Sequence, residues 1–183
     1  MNFVRSAEII LVTGPTRSGK SEWAESLAMQ SQKAIFYVPT AQMQAGDREW
    51  QDRIQRHIDR RPAAWQTCHA PFDLVAVFAD CPSDCCLLID SLGTWVANLL
   101  EQEDAHWDKV LEMLLAAIAE AQQDVILVAE ETGWGVVPAY PLGRKFRDRL
   151  GDLIRKVGAI ADRVYLVTGG YAVDLAQLGT RIN

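Results

Sequence analysis

The sequence lacks any long hydrophobic run, since no apolar stretch approaches the roughly 20 residues that a membrane-spanning helix needs. The residues before the first apolar run also lack the hydrophobic region of a secretory signal peptide. No internal repeat, low-complexity tract or long linker interrupts the chain. We therefore expect a cytoplasmic protein without a membrane span. At 183 residues, a single domain over residues 1–183 is expected.

Cysteine is scarce, and its four residues, Cys68, Cys81, Cys85 and Cys86, fall in one region. They lack the paired CxxC spacing, together with the histidine ligands, of a structural zinc site. We expect reduced thiols, some of them in the core, and no zinc.

Positive charge is in deficit, because 18 Lys and Arg stand against 24 Asp and Glu, which gives a formal charge of −6. Such a chain does not attract a nucleic-acid backbone or an anionic membrane through its overall charge. The strip of basic and aromatic residues that single-strand binders use is also missing. We expect no nucleic-acid partner.

The sequence does contain a phosphate-binding motif, directly after the apolar run 9–12. The motif matches GxxxxGK[ST] and consists of Gly14, Pro15, Thr16, Arg17, Ser18, Gly19, Lys20 and Ser21. Its glycines let several backbone N–H groups converge on phosphate oxygens, while the lysine reaches the outer phosphates and the final serine binds Mg²⁺. The positive end of the following helix adds to the attraction. The motif predicts a nucleoside triphosphate site with Lys20 as a catalytic residue.

Short apolar runs alternate with amphipathic segments along the chain. The runs 9–12, 34–38, 86–89, 125–128 and 164–167 predict buried strands, and the segments 22–30, 47–60, 94–100, 104–121 and 142–161 predict helices. This alternation is typical of an α/β P-loop fold, a parallel sheet with helices on both faces. Breaks at 39–46 and 132–141 predict loops, and such loops tend to surround the ligand crevice.

Asp90 ends the apolar run 86–89, which places a carboxylate at the carboxyl edge of a strand. There it would bind Mg²⁺ together with Ser21. The alternative is that Asp90 and the serine after it cap the following helix.

Two groups of basic residues have more than one interpretation. His57 stands among arginines that keep its ring neutral and would hold a phosphate beside it, so nucleophilic chemistry is conceivable. Taken alone, however, these residues favour a solvated helix face. Arg144, Lys145, Arg147 and Arg149 crowd a helix start, where they either bind phosphates or pair with acids.

The segment 128–138 leaves a predicted strand, passes Glu130 and Glu131, and enters a Gly-Trp-Gly turn. In one interpretation the two acids orient substrate or metal-bound water. In the other they are solvated at a strand end and Trp134 packs into the core. The residues alone leave both open.

Together these segments resemble the bifunctional adenosylcobinamide kinase/adenosylcobinamide-phosphate guanylyltransferase family of cobalamin biosynthesis. The resemblance runs almost end to end and is carried by LVTGPTRSGKSEWAE, YVPTAQ, RIQRHIDRRPAAWQT, LLIDSLGTWVANLL, EETGWGVVPAYPLGRKFRDRLG and ADRVYLVTGG. The RIQRH segment before Arg61, combined with GWGVVP, is far more specific than a phosphate loop alone.

The resemblance implies a RecA-like P-loop fold, a homotrimer and two reactions. ATP or GTP phosphorylates the aminopropanol hydroxyl of adenosylcobinamide, and GMP is then transferred from GTP to the adenosylcobinamide phosphate. It also implies that His57 is the nucleophile that carries GMP. The further nucleotide contacts implied by the resemblance are Val38, Pro39, Thr40, Ile58, Asp59, Arg60, Arg61, His69 and Asp90.

The chain departs from the family pattern at Cys68 and His69, where many relatives have a glutamate that contacts the guanine nucleotide. Either His69 substitutes for that glutamate or the contact is lost. One alternative is therefore a P-loop kinase without guanylyltransferase activity. The other, from a different class, is a RecA-like nucleic-acid-binding NTPase module, which the negative net charge opposes.

Overall fold

The computed structural model of the protein describes residues 7–42 and 62–182. Within them, seven strands form one sheet in the order β3-β2-β4-β5-β1-β6-β7. The strands are β1 (Ile9–Gly14), β2 (Ile35–Pro39), β3 (Gln66–Thr67), β4 (Cys86–Asp90), β5 (Asp124–Glu130), β6 (Arg163–Thr168) and β7 (Tyr171–Asp174). Neighbouring strands are parallel except for β6 and β7, which are antiparallel. All five predicted strands are present.

The described helices are α1 (Lys20–Gln30), α2 (Leu74–Asp80), α3 (Leu92–Asn98), α4 (Asp104–Glu120), α5 (Pro141–Ile160) and α6 (Leu175–Leu178). Within the described ranges, no helix has the length and apolar character needed to cross a bilayer. Four of these helices correspond to predicted segments. The helix predicted over 47–60 lies outside the described residues.

The central strands are buried on both faces, because their side chains alternate between two apolar clusters. In β1, Ile9 and Leu11 belong to one cluster and Ile10 and Val12 to the other. The first cluster includes side chains from α2, α3, α4 and α5, and the second includes side chains from α1. Helices therefore cover both faces, as the apolar runs predict.

Side-chain caps determine where two helices begin. The Ser91 hydroxyl accepts a hydrogen bond from the Thr94 N–H at 3.3 Å, so α3 starts before the predicted position 94. The Asp73 carboxylate accepts from the Ala76 N–H at 3.1 Å and caps α2. The sequence patterns do not predict α2, β3, β7 or α6, since these elements have only two to seven residues and show too little periodicity.

The basic residues at the start of α5 pair within the protein. Arg149 is buried, donates to the carbonyl oxygens of Leu99 and Gln102 and to Asp104, and lies 4.8 Å above the ring centroid of Trp107. The other three make a salt bridge from Lys145 to Asp104, a salt bridge from Arg147 to Asp148, and hydrogen bonds from Arg144 to the carbonyls of Pro138 and Ala139. Of the two interpretations of this cluster, internal pairing is therefore the one observed.

All four cysteines are free, and Cys81, Cys85 and Cys86 are buried, as expected. Burial raises the pKa of Cys81 and Cys85 to about 11 and that of Cys86 to about 12.

Candidate nucleotide-binding site

The carboxyl ends of four adjacent strands meet at one edge of the sheet. The register pairs Gly14 of β1 with Glu130 of β5, and Asp90 of β4 with Pro39 of β2. The phosphate loop, Asp90 and Glu130 therefore share the edge at which parallel α/β sheets bind ligands.

The phosphate loop is folded tightly between β1 and α1. A Cβ at Gly14 would collide with the carbonyl oxygen of Val167 and lie 2.9 Å from the Ser18 hydroxyl, so only glycine fits there. Gly19 has φ 92° and Arg17 has φ 58°, which turn the loop toward the helix start. Gly19 is the N-cap of α1 and makes no side-chain cap, so the first N–H groups of the helix are available to an anion.

Polar groups beneath the loop are poorly satisfied. Lys20 is buried, and among the described residues its Nζ donates only a long hydrogen bond of 3.4 Å to the carbonyl of Pro15. The Ser18 Oγ is buried and has no hydrogen-bond partner in the described part of the chain. Buried polar atoms without partners are rare in native proteins, so these two groups indicate a ligand position.

Glu130 is a buried acid at the end of β5. Its Oε2 has no hydrogen-bond partner within the described residues. Burial raises the pKa of the Glu130 carboxyl; a hydrogen bond from Ser91 and the Lys20 charge oppose this effect, and the Asp90 charge adds to it. A Cβ at Gly93 would collide with Oε2, so the start of α3 lies directly against the carboxylate. The sequence pattern indicated an acid here but not its contact with Gly93.

Glu131 contacts the phosphate loop. Its N–H donates to the carbonyl of Gly14 at 3.0 Å, and its Oε1 accepts from the Thr13 hydroxyl at 2.8 Å. Trp134 is exposed, so the interpretation that it packs into the core is wrong. Residues 131–140 form neither helix nor strand, which agrees with the predicted loop at 132–141.

The end of β2 is tied to the start of α3. The Thr40 hydroxyl donates to the Ser91 carbonyl at 2.7 Å and accepts from the Ser91 N–H at 3.0 Å, while Asn98 donates to the Thr40 carbonyl at 2.7 Å. Val38 is fully buried in the core and Pro39 is half-buried. Nucleotide contacts from Val38, Pro39 and Thr40 stay a prediction.

His69 is exposed in the loop after β3. The neighbouring residues pair with β2, because the Cys68 N–H donates to Tyr37 and the Ala70 N–H donates to Pro39. His69 therefore lies next to the carboxyl end of β2. The predicted residues His57, Ile58, Asp59, Arg60 and Arg61 lie outside the described residues.

The predicted metal ligands suit Mg²⁺. Ser21 offers a hydroxyl at the start of α1, and Asp90 offers a half-buried carboxylate across the same edge. No group of three or more His, Cys, Asp or Glu that could hold a metal occurs in the described part of the chain. Mg²⁺ bound with nucleotides takes one or two protein ligands besides phosphate and water, so this sparse donor set fits.

The sequence model of the CobU family, described as cobinamide kinase/cobinamide phosphate guanyltransferase, matches residues 10–175. The chain belongs to this family. The bifunctional adenosylcobalamin biosynthesis protein CobP of Pseudomonas aeruginosa is 40% identical over 167 residues, which cover 90% of this chain and 95% of that protein. CobU of Salmonella typhimurium, which carries the same description, is 37% identical over 183 residues, which cover 91% of this chain and 99% of that protein.

A solved structure of a Pyrococcus horikoshii OT3 protein has a similar fold, with a TM-score of 0.58 and 10% sequence identity over 96% of this chain and 91% of that chain. At this identity the likeness shows the fold alone. Together with the phosphate loop and the strand order of this CobU-family chain, it confirms the RecA-like, mostly parallel α/β P-loop fold.

Proposed function

We propose that this CobU-family chain phosphorylates the aminopropanol hydroxyl of adenosylcobinamide with ATP or GTP and then transfers GMP from GTP to give adenosyl-GDP-cobinamide. The observation that carries the proposal is the phosphate loop, whose buried Lys20 interacts electrostatically with Glu130, as does Asp90. Family membership supplies the substrate, and the names of both relatives support two activities in one chain.

In the kinase step, the substrate hydroxyl attacks the γ-phosphorus of the bound nucleotide. The bond from that phosphorus to the β-phosphate oxygen breaks, the nucleoside diphosphate leaves, and the hydroxyl proton is released. The loop amides, the start of α1 and Lys20 stabilise the charge on the transferred and leaving groups. Ser21 and Asp90 would hold Mg²⁺, which would supply neutralisation of the phosphate charge when bound. Glu130 orients Lys20 through their opposite charges.

In the guanylyl step, a ring nitrogen of His57 attacks the α-phosphorus of GTP and pyrophosphate leaves. The phosphate of adenosylcobinamide phosphate then attacks the same phosphorus and releases the histidine. The guanylyl transfer thereby proceeds through two displacements at the α-phosphorus, in place of one direct displacement of pyrophosphate by the substrate phosphate. Support comes from family membership and from the RIQRH segment, with Arg60 and Arg61 as phosphate partners and Ile58, Asp59 and His69 as further nucleotide contacts.

We also propose a cytoplasmic homotrimer without a nucleic-acid partner. Tyr171, Leu178 and Ile182 are all more than 70% exposed in and after the edge strand β7, and such apolar surface suits a subunit contact. The net charge of −6 argues against nucleic acid. Sedimentation velocity tests the trimer, and a salt-dependent shift assay on DNA tests the nucleic-acid alternative.

The decisive experiment is incubation with α-³²P-GTP and Mg²⁺, followed by intact mass measurement. We expect an increase of one GMP, acid-labile and alkali-stable, that is absent from His57→Ala. Phosphorylation of adenosylcobinamide without any adduct would instead identify a kinase that lacks the guanylyl step. Absence of both reactions would contradict the proposed function.

A further inference from the structure

Beside the phosphate loop the protein presents a group of solvent-exposed apolar side chains. Val136 is 95% exposed, Tyr140 80% and Trp134 65%. With Val137 and Leu142, which are also exposed, they form what we call the Trp134 platform. Several large apolar side chains exposed within one short segment of a folded protein mark a candidate binding site.

The backbone of the platform is held at both ends. At its start, Glu131 is bound to the Gly14 carbonyl and to the Thr13 hydroxyl. At its end, Arg144 Nη1 donates to the carbonyl oxygens of Pro138 at 3.0 Å and Ala139 at 2.6 Å. The apolar side chains therefore stand on a fixed loop, and little chain entropy is lost when a ligand covers them.

Neither side-chain packing nor backbone conformation within the described chain requires glycine at two positions of the platform. A Cβ at Gly133 or Gly135 would meet no atom within 4 Å, and neither residue has a positive φ. At Gly14, by contrast, a Cβ would collide with Val167. A glycine that neither packing nor conformation requires leaves its backbone open to close approach by a ligand.

We infer that the Trp134 platform binds the corrin macrocycle of the cobinamide substrate, with a macrocycle face on the apolar side chains and its peripheral amides at the open backbone of Gly133 and Gly135. This inference rests on the proposed function. A corrin has methyl-bearing faces and a rim of amides, which matches apolar side chains interrupted by exposed peptide groups. Exposed aromatic rings are suited to such a flat, amphipathic ligand.

The position of the platform agrees with the reaction. Trp134 is three residues from Glu131, so their Cα atoms lie within about 11 Å of each other at the maximum rise per residue. Because Glu131 contacts the phosphate loop, the platform lies at its margin. The aminopropanol arm must place its hydroxyl at the γ-phosphate. The distance from the macrocycle to the phosphate loop is therefore set by the length of that arm. β5, which leads into the platform, lies directly beside β1, whereas β7, near the other exposed apolar side chains, is separated from β1 by β6.

The test is equilibrium dialysis of adenosylcobinamide, read by corrin absorbance, against the full-length protein with a non-hydrolysable ATP analogue. We expect Trp134→Ala to raise the Kd for adenosylcobinamide at least tenfold and Gly135→Ala to raise it several-fold without lowering Tm. The matched controls are Met113→Ala, an exposed apolar residue of α4, and Gly151→Ala in α5, where a Cβ also meets nothing. Both controls should stay within twofold of the unmodified protein. All four variants should keep the nucleotide Kd and the GMP adduct.

Corrinoid affinity within twofold in both Trp134→Ala and Gly135→Ala overturns the inference. So does dissociation of the oligomer by Trp134→Ala in sedimentation velocity, with or without loss of affinity, because the platform is then a contact for a second copy of the chain. Failure of the unmodified protein to bind adenosylcobinamide at all is a different result, since it refutes the proposed function itself.

Discussion

The two edges of the sheet differ in how their polar groups are satisfied. At the amino edge, the Glu8 N–H donates to Asp124 at 2.9 Å and the Ile9 N–H donates to Asp162 at 2.8 Å. Arg163 reaches both carboxylate oxygens of Glu8, at 2.6 and 2.7 Å. The polar groups of this edge are therefore satisfied by hydrogen bonds and ion pairs within the chain.

At the carboxyl edge the pattern is reversed. Ser18 Oγ and Glu130 Oε2 are buried without a partner among the described residues, and Lys20 makes only a long hydrogen bond. Unsatisfied buried groups lower stability, and in natural proteins they concentrate where a ligand completes them. Comparison of the edges therefore identifies the functional end of the sheet without reference to any motif.

The largest expected effect is at the carboxyl edge. Lys20→Ala should lower kcat for phosphoryl transfer on the order of 10²–10³-fold, because it removes a charge that stabilises the transferring phosphate. The free energy of unfolding should change far less than the activation free energy, since within the described residues the Lys20 ammonium loses one long hydrogen bond of 3.4 Å and its attraction to the Glu130 carboxylate. Steady-state kinetics and urea unfolding measure the two quantities. If Lys20→Ala keeps its activity but is clearly less stable, Lys20 has a structural role and not the catalytic role proposed here.

Glu130→Gln should slow phosphoryl transfer and stabilise the fold. Because burial raises the Glu130 pKa in the folded state, the unfolded chain loses this proton first as the pH rises. The free energy of unfolding therefore falls with rising pH between the unfolded and folded pKa values. The variant should remove this slope and gain on the order of 1 kcal/mol at neutral pH. Urea unfolding from pH 5 to pH 8 measures the slope, and an unchanged slope contradicts the assignment.

At the amino edge we expect a smaller effect, which lowers stability and leaves catalysis unchanged. Arg163→Ala should cost about 1 kcal/mol of stability, because its ion pair with Glu8 is more than a third exposed and solvent weakens it. Neither enzymatic step should change. A double-mutant cycle with Glu8→Ala isolates the pair. Loss of kinase activity in Arg163→Ala would mean that the two edges are not functionally separate.

The smallest expected effect concerns the thiols. Cys68 is half-buried, whereas Cys81, Cys85 and Cys86 are buried with a raised pKa, so at pH 8 few of them are thiolates. A thiol-reactive disulfide reagent should therefore modify one residue of the native protein quickly and the other three only after unfolding. Fast modification of Cys86 would show that the start of β4 opens, and that the amino edge is less closed than its hydrogen bonds indicate.

Much of this architecture follows from the sequence, because the strong signals are local. The apolar runs locate β1, β2, β4, β5 and β6, and the GxxxxGK[ST] spacing locates the phosphate loop at the junction of β1 with α1. Asp90 at the end of its run is placed correctly at the carboxyl edge for the same reason.

What the sequence does not predict depends on contacts distant along the chain. Short elements such as α2 and β7 have too few residues for a period to show, and they exist because of a cap or a strand partner. The loop that carries the exposed Trp134 is held at Pro138 by Arg144, and no local pattern reports that contact. The Glu130 environment likewise arises from β4 and α3, which the chain reaches elsewhere in its sequence.

The contact between Gly93 and Glu130 has a consequence for how this sequence can change. A methyl group at position 93 has no room while Glu130 occupies its place, so Gly93→Ala alone should be costly. After Glu130 is shortened to Ala, the same methyl group would fill space that the carboxylate has left. Position 93 can therefore gain a side chain only together with a shorter residue at position 130, and the acid at the end of one strand decides which residue can begin the helix after another.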